Sequence, residues 1–340
     1  MQPLVRAKEQ KAGERPDRSR EIDSRPCAPG AHTCLPSLPI IMSTKRPEDV
    51  LTAWAESALY WEKHRAVIRA MFAPITDALL HDAGIRAGES VLDVAGGTGE
   101  PSLTIAPGFR AQAPAPGPLE TDGGGAHRRR LVCTDAVFAM VSAARQEAVR
   151  LSLTDIEFCA CLGDALPFPA NSFDVVLSRL GAMFFPDTLA ALTELLRVMK
   201  AGGRLALAVW RSSEVNPFFR IVTDVMSRYV ESPPEDPQAP GAFRFAEAGV
   251  LAGLLRRAGA IQVTERIVPF KIEAPIPLDR FWSVRSELSD TLREKVKKLS
   301  PEQLRSVEGE ATEAASQFFK SGKMSFPGEV IVVRARKIAN

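Results

Sequence analysis

The 340-residue sequence predicts an α/β fold built on a doubly wound, mostly parallel sheet. Three observations predict it. Short β-favouring runs alternate with stretches of helical period. The first such run ends in an acid followed by clustered glycines, "VLDVAGGTGEPSL", residues 91 to 103. Two later runs are also followed by an acid, at Asp135 and Asp164.

In chain order, residues 1–41 lack periodicity and are rich in Arg, Pro and Glu, which reads as disorder. They hold seven of the 43 Lys/Arg and five of the 41 Asp/Glu, with no apolar core for a signal peptide. Met42 opens a segment that reads as a natural start, so the first 41 residues are either an over-extended start or a dispensable tail. Residues 42–340 then form the folded domain. From Val50 to Met71 the spacing of Trp54, Ala58, Trp61, Ile68 and Met71 is helical, with Pro74 as an interruption and a short helix around Leu79 and Leu80.

The alternation follows. Strands are expected at Ser90 to Val94, Arg130 to Thr134, Ile156 to Cys161, Phe173 to Ser178 and Arg204 to Trp210. Helices are expected from Glu100, over Val137 to Val149, and over Thr188 to Met199, the last stopped by Gly202 and Gly203. Residues 106–130 are rich in Pro, Ala and Gly and read as a flexible insertion that leaves the first helix about two turns. Beyond Trp210 come a helix around Phe218 to Val225, a proline-rich loop, a helix over Glu247 to Ala258 and a strand within Ile261 to Ile272. A charged helical stretch over Phe281 to Phe319, read as two helices, precedes a last strand over Glu329 to Ala335.

The formal net charge is +2, and no basic stripe or aromatic stacking platform stands out, so nucleic acid is not an expected partner. No apolar run is long enough to span a membrane. The five cysteines, Cys27, Cys34, Cys133, Cys159 and Cys161, fit no zinc or redox spacing, and no metal is expected. They read as reduced thiols of a cytoplasmic protein.

In a doubly wound sheet, ligands bind beyond the carboxyl ends of the strands. Gly96, Gly97 and Gly99 let a ligand approach bare backbone, and the next helix start offers free N–H groups. A carboxylate at Asp93 would repel a pyrophosphate but accept from a ligand ammonium. One at Asp135 suits ribose hydroxyls, and one at Asp164 an adenine amino group. An amino-acid end, a ribose and an adenine together describe S-adenosylmethionine.

On these stretches the chain resembles the class I S-adenosylmethionine-dependent methyltransferases, nearest the small-molecule "type 11" and quinone-biosynthesis C-methyltransferase branch. "VLDVAGGTGEPSL" resembles the first motif, "LVCTDAVFAMVSAA" the acidic second-strand motif, and "GDALPFPANSFDVVLSRLGAMFFPD" the third and fourth. Ala95 departs from the glycine of the commonest form. The resemblance implies a seven-stranded sheet with an antiparallel last strand and helical lid insertions at residues 216–258 and 279–323, which build the acceptor pocket. It implies a cofactor pocket of Asp93, Gly96, Gly97, Thr98, Gly99, Asp135, Ala136, Met140, Asp164, Ala165, Leu166 and Ser178. The implied reaction is in-line methyl transfer to a small organic acceptor, with S-adenosylmethionine as donor.

Each residue also has a local reading. Asp93 and Asp135 can cap turn or helix amides, Asp164 can belong to an ordinary turn, and Met140 can be core. Tyr60, His64 and Arg179 are the polar candidates for assisting the acceptor, and each can instead be satisfied elsewhere in the fold. Trp54, Tyr60, Trp61, Phe184 and Phe185 can face a sulfonium or simply pack. Two other functions stay open: a methyltransferase-like protein that binds without turnover, and an NAD(P)-dependent oxidoreductase.

Overall fold

A computed structural model of the chain describes residues 47–111, 129–231 and 236–339. The expected tail, and residues 112–128 of the expected insertion, lie outside the described residues.

Two helices precede the sheet, α1 (Pro47–Lys63) and α2 (Arg65–Ala83). The break falls at His64 rather than at Pro74, which sits inside α2. Proline removes one backbone donor from a helix. Here the apolar face of Ile68, Met71, Phe72, Ile75 and Leu79, all buried, carries α2 through that loss. Gly84 then ends α2 in the left-handed conformation at φ 56°.

Five strands follow with their helices: β1 (Val91–Val94), α3 (Ser102–Ala111), β2 (Leu131–Asp135), α4 (Phe138–Arg150), β3 (Ile156–Ala160), β4 (Phe173–Arg179), α5 (Thr188–Val198) and β5 (Met199–Trp210). α3 reaches Ala111, so the segment read as insertion from residue 106 begins as helix, with Pro107 inside it. α5 does not end on the glycines. It stops at Met199, whose backbone is already extended. Gly202, at φ 71°, instead serves a register shift, where Phe173 faces Met199 but Val175 faces Arg204.

The remainder is α6 (Pro217–Met226), α7 (Val250–Arg257), β6 (Ile261–Ala274), α8 (Phe281–Leu288), α9 (Asp290–Val296), α10 (Pro301–Ala315), β7 (Phe319–Lys320) and β8 (Lys323–Arg336). The stretch read as two helices is three, because Ser289 and Ser300 each start a new one. Ser289 accepts from the Leu292 amide at 3.3 Å. Ser300 and Gln303 form a reciprocal capping box.

The sheet runs β3-β2-β1-β4-β5-β8-β6, with β7 paired to β8 as an eighth, two-residue strand. β1 through β5 are mutually parallel, while β8 is antiparallel to both β5 and β6. β1 is buried along its whole length and β4 nearly so, as parallel strands covered on both faces must be. Strand order reverses at β1, which pairs with β2 on one side and β4 on the other. That is where a doubly wound sheet opens a crevice at its carboxyl edge. No helix among the described residues is long and apolar enough to cross a membrane.

Candidate active site

The turn after β1 is built by close approach. A Cβ on Gly96 would lie 2.7 Å from both the Asp93 Oδ2 and the Cys133 Sγ. Gly97 and Gly99 have φ of 56° and 114°, which side chains rarely adopt. Ala95 also sits at φ 57°, in the position where a glycine would carry no steric cost. The Gly96 amide donates to the Thr134 carbonyl of β2 at 2.8 Å, which ties the turn to the neighbouring strand. Arg65 clamps it from α2, donating to the carbonyls of Thr98 and Ala143.

Asp93 is fully buried behind this turn. Its Oδ2 accepts from the Ser102 hydroxyl at 2.7 Å and the Ser102 amide at 3.2 Å, at the start of α3. Its other oxygen has no partner. Burial lifts its pKa to about 7, against the Ser102 bonds and the Arg179 charge that favour ionisation. Asp135, at the end of β2, accepts from the Gly97 amide with one oxygen and the Val137 amide with the other, each at 2.9 Å. Burial pushes its pKa up, opposed by those same amides.

A cavity of about 390 Å³ opens beside the turn, a size suited to a small ligand. Its wall includes Gly96, Gly97, Thr98, Asp135, Ala136, Met140, Asp164 and Arg179. The other expected pocket residues stand behind the wall. Asp93 serves α3, Gly99 packs on Leu103, and the Leu166 amide donates to Glu194 at 2.9 Å. The Ala165 amide closes a local turn onto Leu162, and Ser178 is fully buried with its hydroxyl unpartnered. Met140 is both wall and core, since it packs with Ala58 and Val137 under α1.

The strand order lays these groups out in a line. Asp164 follows β3, Asp135 ends β2, the glycine turn follows β1, and Arg179 ends β4. Three strand spacings separate the ends of that line, about 14 Å.

Arg179 donates to the Thr76 hydroxyl of α2 at 2.8 Å, while its buried Nε has no partner. Burial lowers its pKa, with Glu100 and Asp93 pulling the other way. Glu100 is a wall residue that the sequence reading passed over, although it follows the glycines directly in "GTGE". It accepts from Thr104 at 2.6 Å and pairs with Arg69 at 3.2 Å.

The roof is α1. Val50, Leu51, Trp54 and Trp61 line the cavity, with Phe72, Phe184 and Phe185 from below. Trp54 meets Trp61 and Phe184 edge-on, at 5.5 and 4.9 Å. Tyr60 and His64 face away from the cavity wall: the Arg293 guanidinium lies 4.8 Å over the Tyr60 ring, and His64 Nε2 is 2.6 Å from Glu287. The segments 216–258 and 279–323, expected to build the acceptor pocket, contribute nothing to this wall. α8 and α9 hold the roof instead, through Glu287 with Lys63 and His64 and through Arg293 with the Ser57 hydroxyl. No cluster of metal-ligating side chains occurs among the described residues.

The ubiE/COQ5 methyltransferase family model matches residues 75–230, a span that holds the glycine turn, all three acids and Arg179. Over those residues, a little under half of the chain, the sequence is similar to that family. The ubiquinone/menaquinone biosynthesis C-methyltransferase UbiE of Hahella chejuensis is 35% identical over 146 residues, 43% of this chain and 52% of that one. The chain thus spans about half the length of that relative. An uncharacterized protein of Mycobacterium bovis, Mb1438c, is 26% identical over 282 residues, 81% of this chain and 90% of its own. Among solved structures, phosphoethanolamine N-methyltransferase 2 of Haemonchus contortus, in complex with phosphomonomethylethanolamine and S-adenosylhomocysteine, aligns with TM-score 0.49 and 15% identity. That alignment covers 87% of this chain and 61% of the other.

Proposed function

We propose that the protein transfers a methyl group from S-adenosylmethionine to a small organic acceptor by in-line displacement. The observation that carries this reading is the line of groups along the carboxyl edge of the sheet. Asp164 at the β3 end suits an adenine amino group, Asp135 the ribose hydroxyls, and the bare backbone of Gly96 and Gly97 the amino-acid end. The backbone at Gly97 is open to close approach, because a Cβ there would meet nothing within 4 Å.

The donor supplies an electrophilic methyl group on a sulfonium. What this chain supplies is alignment and exclusion of water, the main tasks in such a displacement. Trp54, Trp61, Phe184 and Phe185 enclose the cavity, and aromatic faces attract a sulfonium charge. The Glu100 carboxylate in the wall beside the glycine turn argues against a dinucleotide, whose pyrophosphate it would repel. The three free thiols among the described residues, Cys133, Cys159 and Cys161, suit a cytoplasmic setting.

Calorimetric titration with S-adenosylmethionine, S-adenosylhomocysteine and NADH tests the reading. Micromolar binding of the two sulfur compounds and none of NADH is expected. The reverse pattern would overturn it, and binding of the donor without turnover on any acceptor would favour a binding protein on the same fold.

A further inference from the structure

The turn after β1 is held at two neighbouring points by opposite charges. Gly97 and Gly99, both at positive φ, flank Thr98. Glycines leave such a turn free to rotate unless something outside it intervenes. Two side chains do. The Asp135 carboxylate takes the Gly97 amide at 2.9 Å, and the Arg65 guanidinium donates to the Thr98 carbonyl. A second Arg65 nitrogen donates to the Ala143 carbonyl at 3.0 Å, which braces the turn against α4. Among the described residues, no other side chain donates to a carbonyl of this turn.

This bracing leaves one group over. The Gly99 amide is used within the turn, on the Gly96 carbonyl at 2.9 Å, and the Gly97 amide is used by Asp135. Among the described residues nothing accepts from the Thr98 amide, although Thr98 is buried and lines the cavity. An N–H left unpaired in such a place costs free energy until a ligand supplies an acceptor. The charge behind it is positive. Glu147 lies 3.9 Å from the Arg65 Nε, but it is bonded to Arg150 by both oxygens. The other cations beside the turn are committed elsewhere, Arg69 to Glu100 and Arg179 to Thr76. A free amide backed by a guanidinium favours an anionic acceptor.

We propose that Arg65 is a positioning residue for the methyl donor: by holding the Thr98 carbonyl it presents the Thr98 amide to the carboxylate of the donor's amino-acid end. This rests on the methyl-transfer reading above. Arg65 does not touch the donor itself. It fixes a peptide that two glycines would otherwise let turn, so the donor meets a donor group already in place rather than one it must order on binding. Burial lowers the Arg65 pKa, with Glu147, Glu62 and Glu100 acting against that, and the guanidinium stays charged as it does in proteins. The effect of Arg65 therefore falls on donor affinity, and within it on the share that depends on the carboxylate.

The test compares S-adenosylmethionine with decarboxylated S-adenosylmethionine, which lacks only that carboxylate. Calorimetry on the full-length protein reads both affinities in wild type, Arg65→Gln and Arg65→Lys. Wild type is expected to favour S-adenosylmethionine by about tenfold or more. R65Q should weaken S-adenosylmethionine by about tenfold and leave the decarboxylated compound within about threefold of wild type, so that the preference largely disappears. R65K keeps one donor for the carbonyl and should fall between the two. No preference in wild type, or an undiminished preference in R65Q, overturns the proposal. So does equal weakening of both compounds in R65Q, which would make Arg65 a brace for the fold alone. If R65Q does not fold, wild type and R65K decide, and an R65K preference equal to that of wild type overturns the proposal. Failure of the donor reading is separate: wild type would then bind neither compound.

Discussion

The carboxylate of Asp135, at the end of β2, accepts a hydrogen bond from the Gly97 amide in the turn after β1, at 2.9 Å. Its second oxygen holds the Val137 amide at the start of α4. One side chain therefore fixes the two strand ends between which the ribose is proposed to lie, and its remaining lone pairs are already aimed.

Asp135→Ala should accordingly weaken S-adenosylhomocysteine binding by about 1.5–3 kcal/mol, the usual worth of a bond to a charged acceptor. Calorimetry reads the affinity, and Asp135→Asn, which keeps one acceptor oxygen, should lose less. Equal affinity in the alanine variant would move the ribose away from β2.

Ala95 holds a left-handed backbone, which costs a residue with a Cβ roughly 1–2 kcal/mol relative to glycine. Ala95→Gly should stabilise the fold by about 1 kcal/mol, less whatever freedom it adds to the unfolded chain. Urea unfolding measures it. A destabilised variant would mean that the Ala95 methyl group, packed over Gly181, contributes more than its backbone costs.

Asp93 has a carboxyl that titrates near pH 7 in the fold and near 4 in an unfolded chain. Between those values the folded protein keeps a proton that the unfolded chain has released. The stability from this group is complete below about pH 4 and is lost as pH rises through about 7. Asp93→Asn removes the effect and still offers Ser102 an oxygen. Relative to wild type, it should gain stability on the order of a few kcal/mol from acid to neutral pH and level off above. Parallel stability curves for the two proteins would show that Asp93 is not desolvated.

Glu287 joins α8 to the end of α1, 2.7 Å from Lys63 and 2.6 Å from His64. Burial raises its carboxyl pKa, but Lys63 and His64 outweigh that and hold it low. Glu287→Gln should loosen the roof by about 1 kcal/mol. Amide hydrogen exchange should then speed up in α1 while β1, β2 and β4 stay protected. Uniform acceleration across the sheet would mean that α1 is not an independent cover.

The inner strands were legible because each is a short apolar run, as strands covered on both faces must be. Asp93, Asp135 and Asp164 stood out because each is an acid within, at the end of, or just beyond such a run. What sequence alone missed depends on tertiary partners. The helix break falls at His64, whose ring meets Glu287, 223 residues away. The glycines after Lys200 looked like a helix stop, yet they supply extra residues for a strand register shift. Glu100 sits beside the most conspicuous turn in the chain, but only folding brings Arg69 and the cavity to it. The role of α1 as roof stayed open in the sequence, since the spacing of Trp54 and Trp61 suits a ligand-facing helix and one packed on a core equally well.

β8 is 14 residues long, but only Val330 to Arg336 pairs with β5. Its first half, before Val330, pairs with β6 and β7 but not with β5, and runs roughly 20 Å past the parallel sheet. α6 packs on that strand and on α10, and α10 on α8, so these helices hang from an arm rather than from the strands that carry the three acids. The two halves of the domain are thus free to diverge at different rates. A lineage can rebuild the arm and its helices, and with them the grip on the roof, while leaving the acid-and-glycine edge intact. The family match stops at residue 230, before most of that arm begins.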